Sequence, residues 1–193
     1  MILPREFYLR PVQKVARDLL GKKLIRIDGD QRVGGIILEA EAYNGEQDLA
    51  CHARVGKTGR NKVMYNLGGH AYVYFTYGMH WMLNCVTGEV GSPCAVLIRA
   101  ILPTEGIDFI SQQRSNVKEN HWCSGPAKLT KALAITGELN GTDLCDPDGM
   151  LFIENGGIIS NKNIRTTPRV GIQSTPEPWL SKPWRFVIDL PRK

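Results

Sequence analysis

The rhythm of the β-type segments constrains this chain more than any other feature. Short apolar or alternating runs at 24–27, 36–43, 71–77, 79–86, 94–102, 151–154, 168–172 and 185–190 read as strands. Only three segments between them read as helix, at 11–20, near 105–113 and at 126–136. In the first, Val12, Val15, Ala16, Leu19 and Leu20 form an apolar stripe behind Pro11, and Gly21 suits the stop. Thr104 and Ser124 are the expected N-caps of the other two. Strands and helices in no regular strand–helix–strand order argue against a doubly wound nucleotide fold. They point to a mixed α/β (α+β) architecture, expected to be a single domain over residues 1–193.

Composition removes several function classes. Apolar residues at 42% and charged residues at 22% describe a globular chain with material for a core rather than a disordered one. No stretch approaches the ~20 apolar residues of a membrane-spanning helix, and the opening MILPREFYLR does not read as a secretory signal. The five cysteines are odd in number and lack a CxxC pair, which speaks against a disulfide scaffold or zinc ribbon and for a reducing compartment. His52, His70, His80 and His121 lack metal-site spacing, so no metal is expected. Phosphate-binding GxxxxGK[ST] and GxGxxG motifs are missing, and Gly34-Gly35 and Gly68-Gly69 read as bends. A net charge of +5 permits a polyanionic partner without requiring one.

Two segments carry candidate chemistry. Alternation in Ile36–Tyr43 points Ile36, Leu38, Ala40 and Ala42 to one face, the expected core, and Glu39, Glu41 and Tyr43 to the other. A carboxylate so placed can serve as a general base, but periodicity alone favours an ion-paired or solvated glutamate. In Tyr72–Tyr77 the aromatics are equally compatible with a core strand and with a platform for stacking on bases. Tyr77 beside Gly78 is placed to protrude at a turn. Ser124–Lys128 opens a helix with free amides and a lysine, and Lys57–Lys62 is a basic loop. Many such helix starts bind nothing and such a loop is more often simply solvated, but Lys128 and Arg60 are the candidates for contact with a nucleic-acid backbone.

These segments, taken in order, resemble the alkyladenine (3-methyladenine) DNA glycosylases. The resemblance is carried by Leu38–Tyr43, His52, Arg60-Asn61, Ala71–Met79, Asn84, Val96–Ala100, Ser124–Leu129, Pro168–Gly171 and Lys182–Phe186. It implies a compact domain with a curved antiparallel sheet and peripheral helices. It also implies an enzyme that flips an alkylated or deaminated purine out of double-stranded DNA and hydrolyses its N-glycosidic bond. By that resemblance Glu41 is the general base that activates water, and Arg99 lies near the water and the target phosphate. Tyr43, His52 and Tyr74 line the base pocket, Asn84 crowds the 2-amino position of guanine, and Tyr77 fills the gap left in the duplex. Glu39 is a supporting carboxylate. No lysine stands at a matching catalytic position, so a Schiff-base lyase is not expected. Ala127 and Gly59 depart from the family pattern, which usually has glycine and proline there. A monomer without cofactor, in the cytoplasm, nucleoid or nucleus, completes the expectation. A non-catalytic binder of damaged nucleic acid and a small-molecule nucleoside hydrolase are the alternatives.

Overall fold

The computed structural model describes residues 1–189. Helices α1 (Arg5–Tyr8) and α2 (Val12–Asp18) are followed by strands β1 (Lys23–Asp28) and β2 (Gln31–Asn44). Next come β3 (Ala71–Thr76), β4 (His80–Thr87) and β5 (Cys94–Glu105), then helices α3 (Ile107–Gln113) and α4 (Pro126–Ala132). Strands β6 (Leu151–Glu154), β7 (Ile164–Thr167) and β8 (Arg185–Ile188) complete the set. All the pairings are antiparallel, in the order β3-β4-β5-β2-β1-β6. The sheet forks along β2, whose first half pairs with β1 and whose residues Glu39–Glu41 pair with β8, which in turn pairs with β7. The result is the α+β fold with a curled antiparallel sheet that the resemblance implied.

The core lies between the sheet and the helices. Val15 and Leu19 of the α2 region, Leu129 and Leu133 at α4, and Ile37, Leu83 and Ile98 from the sheet are fully buried. Each such aliphatic side chain contributes about 1.5–3 kcal/mol on leaving water. Helix α2 occupies the expected stretch, with Val12, Val15 and Ala16 inward. After it, Gly21 (φ +82°) donates its amide to Ile37 O at 2.9 Å and turns the chain into β1.

Two bulges change what strict alternation predicts. Between Ile37 and Ala40 the register of β2 on β5 shifts twice, leaving Leu38 and Arg99 without Cα partners. Ile37, rather than Ile36 or Leu38, therefore joins Ala40 and Ala42 in the core, and Arg99 turns toward Glu39 and Glu41. Gly34-Gly35 lies within β2 rather than at a bend. A Cβ on Gly35 would stand 2.1 Å from Leu102 O, so only glycine permits this approach of β5.

The register also shifts between Gly34 and Gly35, where β5 runs past Pro103 to Glu105 with Thr104 as its extra residue, so Thr104 caps nothing and Gly106 precedes α3. Ser124 is not a cap either: Gly125 holds the cap position of α4, and Ser124 Oγ accepts from Lys128 Nζ at 3.3 Å. Helix α4 stops at Ala132, short of the expected 136, and Ala134 just beyond it has φ +50°. The strand expected at 168–172 is a loop after β7, while β8 covers 185–188 of the expected 185–190, and residue 190 lies outside the described residues. All five cysteines are free, and no described helix is long and apolar enough to cross a membrane.

Candidate active site

Neighbouring strands β2 and β5 bring a layer of charge to one face of the sheet. Arg99 donates from Nε to Glu39 Oε1 at 2.7 Å and from Nη1 to Glu41 Oε2 at 3.2 Å. Glu39 also accepts from Arg185 Nε on β8 at 2.6 Å. Burial alone would push the Glu39 pKa up, but the bonds from Arg185 and Arg99 outweigh it and hold the carboxyl below its ordinary value.

Glu41 differs. Its side chain is wholly inaccessible, its share of Arg99 is the longer bond, and burial outweighs the guanidinium and its hydrogen bonds, so its pKa is raised. Oε2 accepts from Tyr43 Oη at 2.9 Å, and Oε1 accepts from the Val170 amide at 2.7 Å. Three of a carboxylate's roughly four acceptor positions are thus used, and Oε1 keeps one for a further donor.

The segment after β7 closes this side. Arg169 is fully buried and pairs with fully buried Asp48 through both terminal nitrogens, Nη2 to Oδ1 at 2.9 Å. Its Nη1 also donates to Ala42 O at 2.9 Å, and its guanidinium lies 4.7 Å from the Tyr43 ring centroid and 5.1 Å from that of Trp184. This pinned arginine immediately precedes Val170, whose amide reaches Glu41.

In front of the carboxylate opens a cavity of about 340 Å³, within the usual ~300–1,000 Å³ of small-ligand sites. Tyr43, Arg99 and Val170, the three residues that hold Glu41, all line it, as do His52, Tyr72, Tyr74 and Asn84. The Tyr72 and Tyr74 rings lie 5.2 Å apart, tilted by 32°, and His52 packs edge-on to Tyr74 at 4.5 Å with its Nδ1 3.0 Å from Tyr72 Oη. Although His52 sits at the exposed rim, crowding of its ring by the tyrosines, then Arg60 and Arg54, lowers its pKa to about 4. It is neutral at neutral pH. Asn84 is buried and donates Nδ2 to Tyr72 O at 3.0 Å, which fixes its amide on the cavity wall.

At the mouth, the β3–β4 turn raises Tyr77 into solvent, 78% exposed. Tyr77 (φ +53°) and Gly78 (φ +67°) form a turn closed by Met79 N to Thr76 O at 3.2 Å. Positive φ is strained for a bulky residue such as tyrosine and suits a functional position.

The structure therefore gathers Arg99, Tyr43, His52, Tyr74, Asn84 and Tyr77 around one cavity, with Glu41 directly behind its wall. Arg60 and Lys128 stand apart from it. Arg60 is exposed, donates to Phe75 O at 3.0 Å and lies over the Tyr74 ring, while Lys128 is exposed beside Ser124. Sequence reasoning assigned no role to Asp48, Tyr72, Arg169, Val170 or Arg185. Arg169 and Arg185 fall inside segments that carried the resemblance, but nothing near Asp48 marks it as the partner of a residue 121 positions later. Among the described residues no group of three His, Cys, Asp or Glu side chains could hold a metal ion.

A desolvated carboxylate thus lies behind an aromatic slot, with a protruding aromatic at its mouth. Comparison with known proteins gives the family to which this chain belongs. Residues 6–191 match the family described as methylpurine-DNA glycosylase. A provisionally named 3-methyladenine DNA glycosylase of Methanocella arvoryzae is 50% identical over 186 residues, 96% of this chain and 91% of its own length. One so named from Carboxydothermus hydrogenoformans is 47% identical over 97% of this chain and 95% of its own, and one from Streptomyces avermitilis 41% over 97% and 87%. The chain belongs to the methylpurine-DNA glycosylase family: it is a DNA repair enzyme that hydrolyses N-glycosyl bonds, with DNA as its substrate.

Proposed function

We propose that this protein, acting as a single-domain monomer, extrudes alkylated or deaminated purines from double-stranded DNA and hydrolyses their N-glycosidic bond with a water activated by Glu41. The observation that carries the reading is the inaccessible Glu41 carboxylate, held by three residues that all face the aromatic cavity. Seating of a base shifts the wall of Tyr43, Arg99 and Val170 enough to admit a water to the remaining position on Oε1, where it is oriented toward the sugar C1′. Its proton passes to Glu41 as the C1′–N bond breaks and the bond pair leaves with the base. A cationic alkylated purine departs neutral, a neutral one such as hypoxanthine takes up a proton from solvent as it departs, and the carboxylate stabilises the oxocarbenium-like transition state. The raised pKa makes Glu41 a stronger base than an ordinary glutamate.

Tyr43, His52 and Tyr74 stack on and flank the extruded purine, at ~1–3 kcal/mol for each base–aromatic stack. Asn84 crowds the exocyclic 2-amino group of guanine and so disfavours the normal base. Tyr77 fills the space the base leaves, offsetting the few kcal/mol of unstacking. Lys128 meets the DNA backbone at the edge of the site, and Arg60 stands against the Tyr74 ring.

Single-turnover cleavage of labelled duplexes carrying one hypoxanthine or one ethenoadenine tests the proposal. Strand breaks should appear only after hot alkali, only at the lesion, and not with a Glu41→Gln protein. Breaks without alkali would signal a lyase. Equal rates for the wild type and Glu41→Gln would remove Glu41 from the reaction.

A further inference from the structure

Two tyrosines of the cage have a guanidinium against the ring. The Arg169 group lies 4.7 Å from the Tyr43 centroid and that of Arg60 lies 5.2 Å from the Tyr74 centroid. Both tyrosines line the cavity and neither arginine is among its lining residues. Arg60 instead lines a neighbouring groove with His52, Arg54 and Asn61.

The two charges are not equivalent. Asp48 neutralises Arg169 through a bidentate pair. Among the described residues no carboxylate pairs with Arg60, which is exposed and anchored by Phe75 O.

A tyrosine attracts a cationic ring through the negative potential of its face. A cation already on one face withdraws that potential from the other, and it repels a second cation directly across the ring. An uncharged purine keeps its dispersion and stacking contact and suffers neither penalty.

We propose that Arg60 is a specificity-determining residue: by backing Tyr74 with an uncompensated positive charge, it turns the cage away from cationic purines and toward neutral damaged ones. The inference rests on the base-extruding reading above. Tyr43, whose backing cation is neutralised, keeps more of its pull on cations, so the cage is graded between its two sides.

The test is a ratio. Single-turnover rate constants at limiting enzyme are measured on duplexes carrying one 7-methylguanine, a cationic ring, and one hypoxanthine, a neutral ring. Proteins compared are the wild type, Arg60→Gln and Arg60→Lys. Arg60→Gln removes the charge while keeping a donor for Phe75 O, and the cationic-to-neutral ratio should rise about fivefold, the scale of one exposed cation–π contact. Arg60→Lys retains the charge and should leave the ratio within about twofold of the wild type. If Arg60 serves only the DNA backbone, both substrates slow together and the ratio stays put, which overturns the proposal.

A wild type that releases neither base defeats the base-extruding reading itself. The cage is then read by quenching of intrinsic fluorescence with free ethenoadenine and with 7-methylguanosine at mildly acidic pH. The same shift of ratio in Arg60→Gln supports the proposal, and an unmoved ratio overturns it.

Discussion

Replacing Asp48 by Asn tests whether the buried ion pair behind Tyr43 holds the reactive side of the cavity in place. Both side chains of the pair are fully buried. Asp48 accepts from two nitrogens of Arg169 and also from the amides of Asn44 and Ala50, each at 3.1 Å. An asparagine keeps one oxygen for those donors and turns the other position into a donor itself. The Arg169 guanidinium is left buried without its counter-charge. Breaking such a pair from one side costs about 3–5 kcal/mol, against a total stability of roughly 5–15 kcal/mol. For a chain of this size each kcal/mol moves Tm by about 2–4 °C, so the midpoint should fall by roughly 6–20 °C. Urea and thermal unfolding of the wild type, Asp48→Asn and Asp48→Asn/Arg169→Met measure it. The double variant removes the stranded charge and should recover part of the loss. Below its new midpoint, Asp48→Asn should also cleave at least about tenfold more slowly, because Arg169 no longer fixes the Val170 amide on Glu41; a tenfold change is about 1.4 kcal/mol, on the scale of one hydrogen bond to a charged group. A loss below about 1 kcal/mol, as for an exposed pair, with the double variant no better, would refute the reasoning.

Other outcomes follow from the same geometry. Glu41→Gln should abolish base release while lesion binding stays near that of the wild type, read by single-turnover cleavage beside an equilibrium binding titration; parallel losses in both would sink the base assignment. Tyr77→Ser should weaken capture of the extruded state, seen as lower affinity for a lesion duplex and a slower single-turnover rate, and no change in either would remove its role in the duplex. Because burial raises the Glu41 pKa and the base acts ionised, the acid limb of the cleavage rate should lie above the ordinary glutamate value of about 4.3; a limb at or below it contradicts the desolvated site. His52 should titrate near 4 by NMR, moving up in Arg60→Gln. Its folded pKa is depressed, so between the unfolded value of about 6.5 and its own, the unfolded chain takes the proton and His52 opposes folding as pH falls. A midpoint in the ordinary histidine range would show the ring is not crowded as described.

How far the sequence carries depends on whether the cause is local. Helix α2 was readable because its stripe, its opening proline and Gly21 lie within a few residues of one another. The Tyr77-Gly78 turn was readable for the same reason. The face assignment of Ile36 and Leu38 was not, because a bulge depends on which residues of β5 lie opposite, and alternation within one strand carries no trace of its partner. The expected caps at Thr104 and Ser124 failed likewise: one residue was drawn into a longer β5, and the other accepts from a lysine side chain rather than an amide.

The two glutamates show where a site leaves the strand that bears it. Glu39 and Glu41 share one face of β2 and one arginine, and alternation cannot tell them apart. Their pKa values nonetheless move in opposite directions. Arg185 lies opposite Glu41 in the register, but its guanidinium reaches diagonally to Glu39, giving that carboxylate a second charged donor and making it a structural ion-pair carboxylate. Glu41 receives an amide from Val170, 129 residues later, a phenol, and only the longer arm of Arg99. The segment from Arg169 to Arg185 thus supplies charge to one carboxylate and only a neutral amide to the other. The ion-paired reading that periodicity favours holds for Glu39. For Glu41 the charge available is too little to offset its burial, and that imbalance suits it to take a proton from water.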